Sequence, residues 1–351
     1  MIDILKQYQN SNNIQIFENF FSEVDFLLDG PNKPFTYGWK ASKQSYDQGH
    51  WNNLVAGDKY ESEDPLYDVS DREEFYLKKP WETIITKLGH RRLRRAYYNG
   101  YTYGTDGYFH QDSTRLDYTK YRKNSIAIQE TVLCYCNEMW KPDWAGETTF
   151  MSTKNDNNLL CSVLPKINRV VYFNGEINHC ARPVSRSFSG LRTILAFKTI
   201  RDFYDERNAI DFIRNLTKDI PHSGRTFFDH LFKCMMMLKE SGFPQEVYLA
   251  ALYHSVYDTE FFKADLNIPR ETIKEIIGPD SERLSHMFCT LRPRLETILN
   301  GNLSVTDRYH LALIESVNQV EQGVKTDPSL NRLLDIIKQQ ETLTKLIQVD
   351  W

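Results

Sequence analysis

The hydrophobic period of this 351-residue chain changes near residue 205. Before that point, short aromatic and β-branched runs alternate with turn clusters. Residues 125–136 present Ile126 and Ile128 on one face and then Thr131, Leu133 and Tyr135. Residues 169–173 make a short buried strand, and residues 191–198 place Arg192, Ile194 and Ala196 on a common face. Asn155-Asp156-Asn157-Asn158 and Asn174-Gly175 are turn signals. Many short strands of this kind predict a β-sandwich or jelly roll, with a helix over residues 80–88 packed outside the sheet. After 205 the period is helical. Leu231, Cys234, Met235 and Leu238 sit at i, i+3, i+4 and i+7 before a Gly242 and Pro244 stop. Residues 245–256 resume the pattern, and Ile273, Ile276 and Ile277 precede Gly278-Pro279. Ser304-Val305-Thr306-Asp307 resembles a capping box, and Leu330, Leu333, Leu334 and Ile337 form a last amphipathic helix. The chain is therefore expected to be an α+β two-domain protein: a β-rich unit over 1–205 and an all-α unit over 206–351. The first helix of the second unit, near Arg207 to Leu216, follows the Arg192 strand directly and is expected to cover the barrel.

Composition narrows the partners. With 43 basic and 47 acidic residues the net charge is −4, which gives no general drive toward nucleic acid or an anionic membrane. Met1-Ile2-Asp3-Ile4-Leu5-Lys6 lacks the basic-then-apolar pattern of a signal peptide, and no apolar run is long enough to span a bilayer. Six scattered cysteines with no paired framework fit reduced thiols, so a cytoplasmic location is expected. Cys134 and Cys136 share one face of a strand, where packing explains them better than metal binding. The oligomeric state stays open.

Chemistry concentrates between Tyr98 and Lys198. In an extended strand alternate residues share a face, so His110 and Asp112 point the same way. His179, arriving from a distant strand, would complete two imidazoles and one carboxylate on one side of an ion. Such a set leaves the opposite coordination positions open and suits non-haem Fe(II). With nine histidines in the chain, the spacing alone is also met by a surface pair near a turn plus a satisfied core histidine.

The residues around these ligands make the pattern specific. Tyr98-Asn99-Gly100-Tyr101-Thr102-Tyr103-Gly104, followed by Phe109-His110-Gln111-Asp112, resembles the Tyr-x-x-Gly and His-x-Asp of prolyl 4-hydroxylase-type 2-oxoglutarate dioxygenases. Ala145-Gly146-Glu147-Thr148-Thr149-Phe150 is similar to that family's Gly-Gly-Glu-Thr-x-Phe strand, with a mild change of its first glycine to alanine. Residues 171–184, through His179 and Arg182-Pro183-Val184, resemble its Phe…His-x-x-x-Pro-Val segment. The resemblance covers about 90–200 and implies a double-stranded β-helix, Fe(II) held by His110, Asp112 and His179, and 2-oxoglutarate as co-substrate. It admits ascorbate as a further cofactor. It also implies that Arg192, where relatives often carry lysine, pairs with the distal carboxylate, a task suited to a planar guanidinium. Tyr98 and Thr148 match positions that hydrogen-bond the same carboxylate, although the long stretch before His110 leaves Tyr101 or Tyr103 as alternatives to Tyr98. The implied reaction consumes O2, releases succinate and CO2, and hydroxylates an organic substrate. An intact carboxylate at 112 argues against a halide taking that position.

The substrate, peptidyl proline or a small molecule, is not legible, because one fold serves many substrates. The aromatic and basic stretch of residues 37–52 suits either a substrate lid or ordinary packing. Arg182, Arg186 and Lys120-Tyr121-Arg122-Lys123 suit an acidic substrate or a solvated face.

In the helical unit, His230 and the Ala250-Ala251-Leu252-Tyr253-His254-Ser255 run resemble the motifs of HD-type metal phosphohydrolases. Ser255 stands where that family needs aspartate, and a neutral hydroxyl is a poor ligand for a hard divalent ion. Asp258, Glu260 and Glu315 are the candidate substitutes, and His254 shares a helical face with Val247 and Ala251. A degenerate, non-catalytic HD-like accessory domain is the favoured expectation. The alternatives are a bifunctional enzyme with an active phosphohydrolase half and a binding protein that keeps the fold without turnover.

Overall fold

The computed structural model describes residues 13–40, 49–58, 67–105, 107–112, 125–152, 158–340 and 343–348. The basic run at 120–123, the turn at 155–157, residues 41–48 of the aromatic stretch and the first six residues lie outside them. Among the described residues no helix is long and apolar enough to cross a membrane.

The elements run β1 (Asn13–Glu18), α1 (Asp25–Leu28), β2 (Thr36–Trp39), β3 (His50–Ala56), α2 (Lys78–Leu88), β4 (Arg92–Tyr101), β5 (Ser125–Tyr135), β6 (Thr148–Met151), β7 (Leu159–Val163), β8 (Val170–Asn174), β9 (Asn178–Ala181) and β10 (Arg192–Tyr204). Then come α3 (Glu206–Thr217), β11 (Pro221–His222), β12 (Arg225–Thr226), α4 (Phe227–Glu240), α5 (Gln245–Leu252), α6 (Arg270–Ile277), α7 (Pro279–Thr290), α8 (Arg294–Asn300), α9 (Val305–Glu321), α10 (Pro328–Lys338) and β13 (Leu343–Gln348).

Eight strands form a major antiparallel sheet in the order β13-β1-β8-β5-β10-β4-β3-β2, and three form a minor sheet, β7-β6-β9. Period-two alternation gives the major sheet two apolar faces. Its inner side chains, among them Tyr97, Leu133, Tyr135, Phe173, Ile194 and Ala196, pack against Phe150 and Val163 of the minor sheet. Its outer side chains, among them Ala96, Tyr98, Cys134, Leu195 and Phe197, pack against Trp81, Ile84 and Leu88 of α2. Two facing antiparallel sheets with a helix outside is the layering expected of a jelly roll, and both Cys134 and Cys136 are packed in the outer core.

Residues 206–340 are mainly helical, with the β11/β12 hairpin and a non-helical stretch over 253–269. Caps set the helix starts. Thr226 and Asp229 close a capping box on α4, and Ser304 accepts from Asp307 N–H at the start of α9. Ala209 and Ile213 of α3 are buried in the helical core with Phe227, Leu231 and Leu249. That helix therefore joins its own unit, and α2 takes the place on the sheet expected for it. The two units meet where His310 Nε2 donates to Thr86 O at 3.1 Å and Tyr204 N–H donates to Gln245 Oε1 at 2.8 Å. The chain then returns: β13 pairs antiparallel with β1 from Asn13↔Gln348 to Glu18↔Leu343. A cut at 206 thus leaves one strand of the major sheet in the C-terminal part, because strand pairing is set by backbone partners and not by order along the chain.

Trp81 is 5% exposed and stacks on Phe197 at 6.0 Å between ring centroids. Trp81→Ala should lower unfolding free energy by about 3–5 kcal/mol in urea titrations. A loss below about 1 kcal/mol would mean that α2 contributes little to holding the sheet.

Candidate metal and co-substrate site

His110 lies after β4 and behaves as an extra rung of the minor sheet. Its N–H donates to His179 O at 3.1 Å, and His179 N–H donates to His110 O at 3.0 Å. The reciprocal pair sets the two imidazoles side by side, ring centroids 4.5 Å apart. Two residues on, Asp112 N–H donates to Gly175 O at 2.8 Å, which returns its carboxylate to the same face. Asp112 Oδ1 lies 3.5 Å from His110 Nε2, and Oδ2 lies 3.4 Å from His179 Nε2. One ligand atom from each of the three falls within 4.8 Å of the others.

The tautomers follow from their partners. Nδ1 of His110 faces Tyr108 O at 2.8 Å and Nδ1 of His179 faces Ile177 O at 2.9 Å. A carbonyl only accepts, so each neutral ring carries its proton on Nδ1 and turns the Nε2 lone pair toward Asp112. Burial among Phe150 and Phe173 pushes His179 down to about 4. Burial also works against charging His110, but the Asp112 hydrogen bond and charge prevail and its pKa is raised. Burial of most of the Asp112 side chain alone would raise it; the Lys198 and His179 charges hold it well below the usual carboxylate range. Thr131 Oγ1 donates to Asp112 Oδ2 at 2.6 Å, and the Lys198 ammonium lies against the same oxygen.

Further along the inner face of β10, Arg192 is 1% exposed. Its Nε donates to Gly146 O at 2.5 Å and its Nη2 to Thr148 Oγ1 at 2.9 Å. Nη1 is buried with no hydrogen-bond partner among the described residues. The guanidinium lies 5.4 Å from the Tyr101 ring and 5.7 Å from the Tyr135 ring. Tyr135 Oη in turn reaches Thr148 Oγ1 at 2.8 Å. Among the described residues every hydrogen-bonding partner of this buried cation is neutral, an arrangement that is costly until an anion joins it.

The structure therefore brings together His110, Asp112 and His179, and separately Arg192 and Thr148. It does not bring Tyr98 to them. Tyr98 sits opposite Leu195 on the outer face, fully buried, with its Oη donating to Phe26 O at 2.9 Å. The parity of β4 turns Tyr97, Asn99 and Tyr101 inward, so of the alternatives to Tyr98 it is Tyr101 that reaches Arg192, while Tyr103 is 65% exposed. Ala145 is a second correction. Its φ of 54° is in the left-handed region, where a Cβ costs on the order of 1 kcal/mol, so replacing glycine there is not mild. Sequence reasoning also missed Thr131, Tyr135 and Lys198; the signal for Lys198 was its period-two placement after Arg192, Ile194 and Ala196. In the aromatic stretch, Trp39 of the edge strand β2 stacks on Tyr97 at 6.2 Å and His50 of β3 on Tyr101 at 4.8 Å. Arg182 and Arg186 are exposed.

A second cluster forms in the helical unit. His230, Cys234 and His254 are all buried, with ligand atoms within 4.8 Å of one another. His254 Nδ1 faces Ala251 O at 2.6 Å, so its Nε2 accepts from His230 Nε2, 3.1 Å away. His230 Nδ1 lies 2.5 Å from Glu321 Oε2, within hydrogen-bond distance. None of the carboxylates expected to replace the missing aspartate does so. Asp258 accepts from Ala264 and Asp265 N–H, Glu260 accepts from Arg294 N–H, and Glu315 pairs with Arg294 at 3.0 Å. His230 and Ser255 line a cavity of about 590 Å³.

One family model matches, over residues 213–293, described as a domain of unknown function (DUF6817). It lies within the helical unit and lends no support to the HD likeness. No curated protein sequence matches the chain. Among solved structures, the chain is similar to a Trichoplax adhaerens prolyl hydroxylase in complex with a hypoxia-inducible-factor peptide, at 16% identity and TM-score 0.37, covering 59% of this chain and 92% of that one. It is similar to a Pseudomonas putida prolyl-4-hydroxylase at 15% identity and TM-score 0.37, covering 56% and 96%. A third is HygX from Streptomyces hygroscopicus with nickel and 2-oxoglutarate bound, at 12% identity and TM-score 0.36, covering 57% and 86%. Likenesses at these identities and scores do not set the activity of the chain, which rests on its own site.

Burial pushes the His254 pKa down to about 3. Unfolding restores the ordinary value near 6.5, so below that pH the unfolded state binds the extra proton and stability falls as pH drops from about 6.5 toward 3. This residue should contribute a loss of roughly 1.4 kcal/mol per pH unit in that window. The pH dependence of unfolding between 6.5 and 4.5 should be shallower in His254→Gln than in the wild type; equal slopes would mean that His254 charges without unfolding.

Proposed function

We propose that the chain is an Fe(II)- and 2-oxoglutarate-dependent dioxygenase that hydroxylates an organic substrate, with residues 206–340 as a helical accessory unit. The observation that carries this reading is the pairing, in one inter-sheet space, of a convergent two-histidine, one-carboxylate set with a buried guanidinium whose Nη1 lacks a partner. The donor set fits the ion: two Nε2 lone pairs and one carboxylate on one side, each oriented by a second hydrogen bond. The orphaned Arg192 nitrogen fits a carboxylate. Bound Fe(II) and 2-oxoglutarate supply the O2-dependent oxidation of a substrate C–H bond, with release of succinate and CO2.

The residues of the chain position and protect. His110, Asp112 and His179 would hold the ion, and Thr131 with Lys198 keeps the Asp112 carboxylate from rotating. Arg192 would bind the distal carboxylate of 2-oxoglutarate, with Thr148 and Tyr135 fixing the guanidinium plane. Ile194, Ala196, Phe150 and Phe173 exclude water from the space between. The peptidyl-proline and small-molecule substrates both remain compatible with this site. For the helical unit, the contact of His230 with Glu321 and the hydroxyl of Ser255 where a carboxylate ligand is needed support a non-catalytic role over phosphate-ester hydrolysis.

Metal analysis tests the reading directly. The full chain should take up one Fe(II) per molecule, and His179→Ala or Asp112→Ala should lose both the ion and 2-oxoglutarate turnover. His254→Gln should keep them. Retention of full activity in either triad variant would remove the assignment, and loss of a second ion in His254→Gln would favour the bifunctional alternative.

Arg192→Ala should weaken 2-oxoglutarate binding by about 2–5 kcal/mol, since it removes the cation from a buried carboxylate site, while Arg192→Lys keeps part of it. Tyr98→Phe should leave 2-oxoglutarate affinity unchanged. Calorimetric titration in the presence of Mn(II) separates these outcomes, and an unchanged affinity in Arg192→Ala would place the carboxylate anchor elsewhere.

A further inference from the structure

The inner face of β10 carries two cations, not one. Arg192, Ile194, Ala196 and Lys198 alternate onto it, and roughly 20 Å of strand separates the first from the last. Arg192 sits with Tyr101, Tyr135 and Thr148, while Lys198 sits beside Asp112. Lys198 is 8% exposed, and its ammonium has two partners, the Asp112 carboxylate and Thr131 Oγ1 at 3.2 Å. Its register partner across β4 is Arg95. The Arg95 guanidinium lies over the rings of Trp39 at 5.5 Å and Tyr97 at 4.8 Å, and it is half-buried. Opposite Tyr97 on β3 is Leu54, 44% exposed. Cationic groups, aromatic rings and open apolar surface therefore meet on one face, midway along β10 from Arg192.

We propose that this face seats the substrate through an anionic oxygen group, a carboxylate, sulfonate or phosphate, held by Lys198 with Arg95 beside it, and with Trp39, Tyr97 and Leu54 against its apolar part. The inference rests on the dioxygenase reading. In that reading Arg192 answers the distal carboxylate of the co-substrate, and a divalent ion answers Asp112 and the proximal carboxylate. The charge of Asp112 is then divided between a dication and the Lys198 ammonium, whose other partner is the neutral Thr131 hydroxyl. A buried ammonium in that state is stabilised by an incoming anion, and Arg95 raises the local positive potential further. A neutral substrate would leave that charge unanswered.

The test uses the full chain loaded with Mn(II) and saturating 2-oxoglutarate, with binding read by calorimetry so that no turnover is needed. Benzoate and benzamide are the probes, since they share a ring and a shape and differ by one charge. Benzoate should bind saturably and benzamide at least about tenfold more weakly. Arg95→Gln should weaken benzoate at least about tenfold and leave benzamide where it was, and Lys198→Met should weaken benzoate in the same direction. A short peptide ending in a free carboxylate, compared with its amide, forms the second arm. Discrimination there as well assigns the anion to a peptide substrate, and discrimination only with benzoate assigns it to small acids. Equal binding of benzoate and benzamide to the wild type overturns the proposal. So does benzoate binding that both variants leave unchanged while electron paramagnetic resonance shows bound Mn(II). Failure to load Mn(II) or 2-oxoglutarate at all is a separate result and counts against the dioxygenase reading itself.

Discussion

The site depends on one reciprocal pair of backbone hydrogen bonds. His110 is outside any regular strand, yet its N–H and C=O both bond to His179, and this makes a loop residue continuous with the minor sheet. Each backbone bond is worth only about 1 kcal/mol net. Its larger effect is geometric. Once the pair forms, the alternation of an extended chain brings Asp112 to the face already occupied by both imidazoles, and the Asp112 N–H to Gly175 O bond holds it there. Three ligands from two distant segments then need no further device to converge.

Burial of charge is the second organising feature. Arg192 and Lys198 both lie inside an otherwise apolar inter-sheet layer, where an ion is tolerated only with partners. Lys198 has Asp112. Arg192 has a carbonyl, a hydroxyl and two aromatic faces, which satisfy two of its nitrogens and leave Nη1 without a partner. The layer is thus stable enough to fold and still electrostatically incomplete, which is the condition expected of a site that receives a charged small molecule.

The helical unit holds a second buried polar cluster. His230 contacts both His254 and Glu321, and Arg225 reaches Glu321 at 2.5 Å. The unit's contact with the β unit runs through α9 and α2, at His310 and Thr86, and the return of β13 to β1 ties the C-terminal end of the chain into the major sheet. The helical unit is therefore held to the sheet at more than one point.

Much of this was present in the sequence because it follows from local period and residue chemistry. Alternation at 125–136 and 191–198, helical spacing after 205, and the Ser304 cap depend on near neighbours, and the structure has these elements. The candidate ligand set His110, Asp112 and His179 and the arginine on an apolar strand face were likewise visible, since chemistry restricts which side chains suit such a site. The inward or outward parity of Tyr98 was not. It is set by the register of β4 against β10, and moving the register by one residue exchanges Tyr98 for its neighbours. The left-handed backbone at Ala145, the Lys198 contact with Asp112, the choice of Glu321 over Asp258, Glu260 or Glu315, and the pairing of β13 with β1 are decided in the same way. Each joins segments far apart in the chain. Composition and spacing determine what a residue is able to do; only the packed tertiary structure, through strand register and long-range contact, determines what it meets.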